Sequence, residues 1–240
     1  MIKQGVEGAE YITPLVFMIV LGTVLLNATT ARLFAKTVGV FLNNSDGILI
    51  VGASNASRLI ASYLQNFGKR VVLIDSNTSF IELSINKGLE AYVVNIYDDD
   101  LTDNIELNDI GYLIALTGSD AVNKFALKNL ATTFGEHGAF RLVSSDEVKS
   151  QNFEDKNQFF TPKDDYIDLS EAVRDFPNLY EIPIHSDKDY KETLEKLHMQ
   201  LKSIPLFVKT ADNNIYILSE FKSKKFPKKD AVLVYVGQKI

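Results

Sequence analysis

Residues 52 to 75 carry a pattern suited to holding a phosphate and a sugar. Gly52-Ala53-Ser54-Asn55-Ala56-Ser57 retains the first glycine of G-x-G-x-x-G and places serine at the second and third glycine positions. The first glycine permits a tight turn, the second lets backbone approach a pyrophosphate, and the third lets helix and strand pack closely. A helix opening there presents N–H groups to a phosphate, and Ser54, Asn55 and Ser57 add hydrogen-bonding side chains. Asp75 follows Gly52 by 23 residues, where an acid accepts from ribose hydroxyls. Ser76-Asn77 offers no cation for a 2′-phosphate, so the pattern favours NAD(H) or an adenine nucleotide over NADP. The competing reading is a scaffold that has lost its ligand, with Asp75 capping the next helix.

Groups able to act as catalytic acids or bases are poorly placed, and no enzymatic activity is expected. His137 sits in a glycine-flanked turn, and His185 and His198 fall in the C-terminal part. Tyr235 and Lys239 have the Tyr-x-x-x-Lys spacing of an NAD-dependent oxidoreductase, but they lie in or just beyond a strand at the chain end, whereas that pair needs a helix. Asp98-Asp99-Asp100 reads as a solvated helix start, because adjacent side chains point in different directions. No metal site is assigned. The absence of cysteine excludes disulfides, thiolate zinc sites and a cysteine nucleophile.

The elements that must position the glycine turn are legible around it. Gly47 to Val51 is a continuous apolar run that reads as a buried parallel strand. Leu59, Ile60, Tyr63, Leu64 and Phe67 then recur at helical spacing, and Gly68 supplies a stop. Val71 to Ile74 is a second strand, with further strands expected at 91–96, 112–116 and 139–143. This alternation predicts an α/β fold, a Rossmann-like doubly wound parallel sheet. It is preceded by one transmembrane helix and followed by a small α+β lobe. The expected domains are 1–44 for the helix and its linker at Asn43 to Asp46, 45–150 for the nucleotide-binding lobe and 151–240 for the C-terminal lobe. Strands at 180–184, 206–209, 215–218 and 231–236 and one helix at 190–201 make up that last lobe. Lys222 to Lys229 is a basic stretch read as a solvated loop.

Tyr11 to Ala31 carries no charge, and Glu10 and Arg32 close it. At ~1.5 Å per helical residue this stretch crosses the ~30 Å apolar core of a bilayer. Gly22, Thr23, Asn27, Thr29 and Thr30 suit packing against other helices. Arg32 and Lys36 after the span, against Glu7 and Glu10 before it, put residues after about 32 in the cytoplasm of an inner-membrane protein by the positive-inside rule. A signal peptide fits less well, since its first region is basic, and a buried soluble helix is the other alternative. A single span cannot move ions, so a transport role requires helices beyond this chain. The net charge of −6 and pI near 5.2 exclude nucleic acid as a partner, because affinity there comes from Lys and Arg neutralising phosphates.

Gly8-Ala9-Glu10-Tyr11-Ile12-Thr13-Pro14-Leu15-Val16-Phe17, with Gly22-Thr23-Val24 and Thr30-Ala31-Arg32, resembles the last transmembrane helix of bacterial sodium or potassium/proton antiporters of the monovalent cation family. The part behind it resembles the Trk-type NAD-binding domain, also called the regulator-of-conductance N-domain. Leu73-Ile74-Asp75 and Ala115 to Asn123, which resembles the T-x-x-D-x-V-N signature, carry that likeness. The resemblance covers about residues 5 to 145. It implies a cytoplasmic nucleotide-sensing region that controls cation transport, with the antiporter's transmembrane helices as partners and paired domains in a homodimer. It implies phosphate contacts at Gly52, Ser54 and Asn55, ribose at Asp75, and the base around Asn95, Ile96 and Thr117. The chain departs from the family at the two missing glycines and at Val94-Asn95, where Gly-Asp is common. A potassium-channel or Trk-uptake regulator shares the domain but not the antiporter-like helix.

Overall fold

The computed structural model describes residues 11–37, 45–97, 105–150, 164–200, 202–212, 214–218 and 231–240. The runs Asp98 to Asp100 and Lys222 to Lys229, the segment before Tyr11, and Asn43-Asn44 lie outside the described residues. The chain forms two compact units that divide between Asn43 and Asn44, and everything after that point belongs to the second.

The N-terminal unit contains α1 (Ile12–Thr37). Its Ile12–Ala31 portion, 20 residues of mean hydropathy 2.0, is long and apolar enough to cross a bilayer. The threonines do not break that character, because each hydroxyl folds back onto the preceding turn. Thr23 donates to the Ile19 carbonyl at 3.0 Å, Thr29 to Leu25 at 2.6 Å and Thr30 to Leu26 at 2.7 Å. A hydroxyl satisfied within its own helix needs no water.

The second unit begins with a parallel sheet of β1 (Gly47–Val51), β2 (Val71–Asp75), β3 (Glu90–Val93), β4 (Ile110–Ala115) and β5 (Gly138–Arg141), in the order β3-β2-β1-β4-β5. The apolar strands are buried on both faces, as parallel strands under helices must be. Ile48, Ile50, Leu73, Ile114 and Leu116 face α2 (Asn55–Asn66), α3 (Thr78–Ile85) and α6 (Tyr166–Asp175). Leu49, Val51, Val72, Leu113 and Ala115 face α4 (Asp120–Phe134). Helices on both faces make this the doubly wound Rossmann-like fold.

Strand limits differ from expectation where side chains compete with the ladder. β3 ends at Val93 and not at Ile96, because Asn95 Oδ1 accepts the Tyr97 N–H at 3.2 Å and turns the chain. β5 ends at Arg141 and not at Val143. Its guanidinium is 1% exposed and grips Glu147 of α5 (Ser145–Ser150) with both nitrogens, at 2.9 and 2.6 Å.

The C-terminal part adds an antiparallel sheet of β6 (Leu179–Ile184), β7 (Ile204–Lys209), β8 (Ile215–Ile217) and β9 (Ala231–Val236), in the order β6-β9-β7-β8. One set of its residues, including Leu206, Phe207 and Val234, joins the core beside α2, and another, including Val208 and Leu233, meets α7 (Asp187–Met199). α7 starts a turn earlier than expected, because Ser186 caps it by accepting the Asp189 N–H. α6 is an addition to the expected elements. Its capping box of Asp165 and Asp168 is the signal in the sequence that would have found it.

The Arg141–Glu147 pair yields a stability prediction. Hydrogen bonding from Arg141 holds the Glu147 carboxyl at about 2 against an ordinary 4.5, with burial opposing. The folded form therefore binds its proton more weakly than the unfolded chain. The pair's contribution is complete above about pH 4.5 and is lost as pH falls from there through about 2. Glu147→Ala removes the two-pronged partner of a buried guanidinium and leaves it only the more distant Asp120 carboxylate and the Leu142 carbonyl, so it is expected to cost about 2–4 kcal/mol near neutrality. Urea titration of the full chain in mild detergent at pH 7 and pH 3 checks both statements, since the gap between wild type and variant should narrow at the lower pH.

Candidate functional site

The strand order reverses between β1 and β4, and in open sheets of this kind the crevice beyond the strand C-termini at that point receives ligands. Gly52 makes the turn out of β1 at φ +105°, where a side chain is strained. Space forbids one as well, since a Cβ there would lie 2.9 Å from the Leu116 carbonyl oxygen and from Thr117 Cγ2. The turn is thus packed directly on the loop that follows β4.

Asp75 holds the turn from the other side. Its Oδ2 accepts the Ala53 N–H at 2.7 Å and its Oδ1 accepts the Asn77 N–H at 2.9 Å. Asp75 is not the cap of α3. Asn77 fills that role, accepting from Ser79 and Phe80. The carboxylate keeps further lone pairs for a ligand hydroxyl, because an ionised carboxylate has about four acceptor positions.

At the start of α2, Ser54 is the N-cap and accepts the Ser57 N–H at 3.2 Å, with the two hydroxyls 3.0 Å apart. Ser57 is fully buried in this contact. Asn55 is exposed, and its side-chain Oδ1 accepts from the Arg58 guanidinium, which also donates to the Ala53 carbonyl. Arg58 is only 3% exposed and stacks 5.8 Å from the Phe80 ring centre. Burial lowers its pKa, and the charge of Asp75 acts in the opposite sense. Arg58 braces the turn from below.

The loop after β4 explains its own sequence pattern. Asn123, buried within α4, accepts the Thr117 N–H at 3.0 Å and the Thr117 hydroxyl at 2.7 Å, and donates to the Thr117 carbonyl at 2.9 Å. Ser119 caps α4 by accepting the Val122 N–H. Asp120 stands 3.5 Å from the buried Arg141 guanidinium.

These pieces line an open crevice of about 250 Å³. Gly52, Ser54, Asp75, Asn95, Ile96 and Thr117 all line it. Ser57 and Asn55 are not among the lining residues, because their side chains are committed to Ser54 and Arg58. Phe80, Tyr97 and Tyr166 also line it, beyond the residues that the sequence pattern picks out. Phe80 and Tyr97 have no periodic or motif signal, and Tyr166 comes from the unforeseen α6. Among the described lining residues Asp75 is the sole carboxylate, with no lysine, arginine or histidine beside it. His137, His185 and His198 lie elsewhere, the first at the opposite end of the sheet, just before β5. Tyr235 is buried in β9, and its hydroxyl accepts the Ile240 N–H at 3.0 Å.

Residues 48–155 match the model of the TrkA-N domain family, in keeping with the Rossmann-like sheet described above. Comparison with curated proteins yields no match. Among solved structures, the NAD(P)-binding domain of an exopolyphosphatase-related protein from Archaeoglobus fulgidus is 23% identical, covering 43% of this chain and 77% of that one, with a TM-score of 0.37. The plantazolicin methyltransferase BpumL is 11% identical over 80% of this chain and 76% of that one, at a TM-score of 0.33. The glycopeptide N-methyltransferase MtfA is 13% identical over 88% and 86%, at 0.31. With scores this low, the family match carries the comparison.

Asp75→Ala removes the latch on the turn and, with it, the acceptor expected for a ribose hydroxyl. Hydrogen bonds to a charged acceptor are worth ~1.5–3 kcal/mol, so calorimetric affinity for an adenine nucleotide should fall by about one to two orders of magnitude. A 2′-phosphorylated nucleotide should bind the wild type less well than its 2′-hydroxyl counterpart, since Asp75 repels the phosphate and no lining cation offsets it. The reverse order would refute the placement of ribose at Asp75.

Proposed function

We propose that this chain, with a TrkA-N domain at residues 48–155, is the cytoplasmic nucleotide-sensing region of a sodium or potassium/proton antiporter. The ligand is NAD(H) or an adenine nucleotide, held as substrate of no reaction. The observation that carries the reading is the pairing of this domain with an apolar helix of bilayer length directly before it. In this reading α1 spans the inner membrane and packs against the antiporter's other transmembrane helices. The small and threonine-rich positions of α1 support helix–helix contact, and Ser54, Asp75 and Thr117 around one cavity support a nucleotide. A ligand that prefers one geometry of the regulatory lobe biases the attached helices by its differential affinity. Pairing of two such chains in a homodimer gives the ligand a symmetric interface on which to act. An oxidoreductase would need an acid or base beside the bound ligand, and the described lining offers one carboxylate, Asp75, already latched to the turn, and the phenols of Tyr97 and Tyr166 with no lysine or histidine beside them.

The expected outcome is that the full chain stays with carbonate-washed membranes and, in detergent, is stabilised by a nucleotide that it does not convert. At a concentration ~100 times the dissociation constant the added stability is about 2.7 kcal/mol. For a chain of this size that is a melting shift of roughly 5–10 °C. Recovery in the carbonate supernatant would remove the membrane half of the proposal, and the absence of a shift with any adenine nucleotide would remove the sensing half.

A further inference from the structure

We infer that Tyr166 is a size-selecting residue, which closes the crevice to the second half of a dinucleotide and leaves a site for an adenosine mononucleotide. The inference rests on the nucleotide-binding reading above and narrows it to one ligand class.

The geometry follows from the switch point. An adenosine bound with its ribose on Asp75 lies on the β2–β3 side of the crevice, next to Val94, Asn95 and Ile96. Its phosphate then meets the α2 N-terminus beyond β1. In doubly wound sheets a dinucleotide continues across the reversal to the other half of the sheet. Here that means passing over the loop after β4, at Gly118 and Ser119. The Tyr166 ring stands on that loop. A Cβ built on Gly118 would lie 3.1 Å from Tyr166 Cε1 and 3.2 Å from Cδ1, so the ring rests against the glycine backbone.

The ring is held from behind. Tyr166 opens α6, and Asp165 caps that helix by accepting from Ile167 at 2.8 Å and Asp168 at 3.0 Å, while also accepting from the Ser145 hydroxyl. Leu169, Ala172 and Val173 of α6 are buried in the core shared with α2. The helix backbone that carries the ring is therefore fixed by its packing on the phosphate-binding helix.

The test is calorimetric titration of the full chain in detergent with AMP and with NAD, for wild type, Tyr166→Ala and Tyr166→Phe. Wild type should bind AMP at least about tenfold more tightly than NAD, the size of preference that a built-in steric clash readily supplies. Tyr166→Ala should strengthen NAD binding by about tenfold and leave AMP within about threefold, as expected for removal of an obstacle. Tyr166→Phe, which keeps the ring, should keep the wild-type preference. Wild type binding NAD as tightly as AMP overturns size selection while leaving nucleotide sensing intact. So does Tyr166→Ala weakening both ligands equally with an unchanged melting temperature, which would make the ring a contact and not a barrier. If Tyr166→Ala fails to fold, the wild-type preference and the Tyr166→Phe result still decide. Binding of neither ligand by wild type overturns the sensing proposal itself.

Discussion

The hydrogen bond from the Ala53 N–H to Asp75 ties the ends of β1 and β2 together at the floor of the cavity. Strand ends in a parallel sheet are free to splay where the ladder stops, and the turn out of β1 has the added difficulty of a positive φ at Gly52. The charge-assisted bond removes that freedom on one side. Contact of Gly52 with Leu116 and Thr117 removes it on the other. The start of α2 is thereby aimed, and every other lining residue is positioned relative to it.

Two further features stiffen the same region with groups that never reach the cavity. Arg58 draws the Ala53 carbonyl and the Asn55 side chain together beneath the turn. Asn123 plays the matching part for the loop after β4, satisfying both backbone groups of Thr117. Buried polar side chains that satisfy loop backbone are costly to replace, because the unpaired amide would carry its full desolvation penalty.

α2 also reaches the antiparallel sheet. Tyr63 donates to Glu181 at 2.6 Å, Lys209 donates to the same oxygen at 2.7 Å, and the Lys209 ammonium lies 5.5 and 5.1 Å from the Tyr63 and Phe67 ring centres. Burial, and then the hydrogen bond to Glu181, push the Tyr63 phenol well above its usual range. The helix that begins at the cavity therefore ends in an ionic and aromatic joint with the C-terminal sheet, and the two share one core. A change at the cavity has a continuous packed route to that sheet.

What was legible in the chain was whatever depends on near neighbours. The apolar runs of β1, β2 and β9, the stop at Gly68 and the length of α1 all follow from local pattern, since strands buried on both faces and a helix fit for lipid leave little choice of residue. Of the eight proposed site residues, Gly52, Ser54 and Asp75 came together because a glycine turn and a strand-end acid have fixed places in a βαβ unit, and Asn95, Ile96 and Thr117, expected from the family resemblance, line the same cavity. Ser57 and Asn55 stayed outside because a helix N-terminus also needs partners for its own groups, and only the folded backbone decides which side chains supply them. The place of Tyr166 was settled by tertiary structure alone. Its ring comes to rest on Gly118 because α6 packs against α2, a contact between segments far apart in the chain whose alternatives no local pattern can weigh.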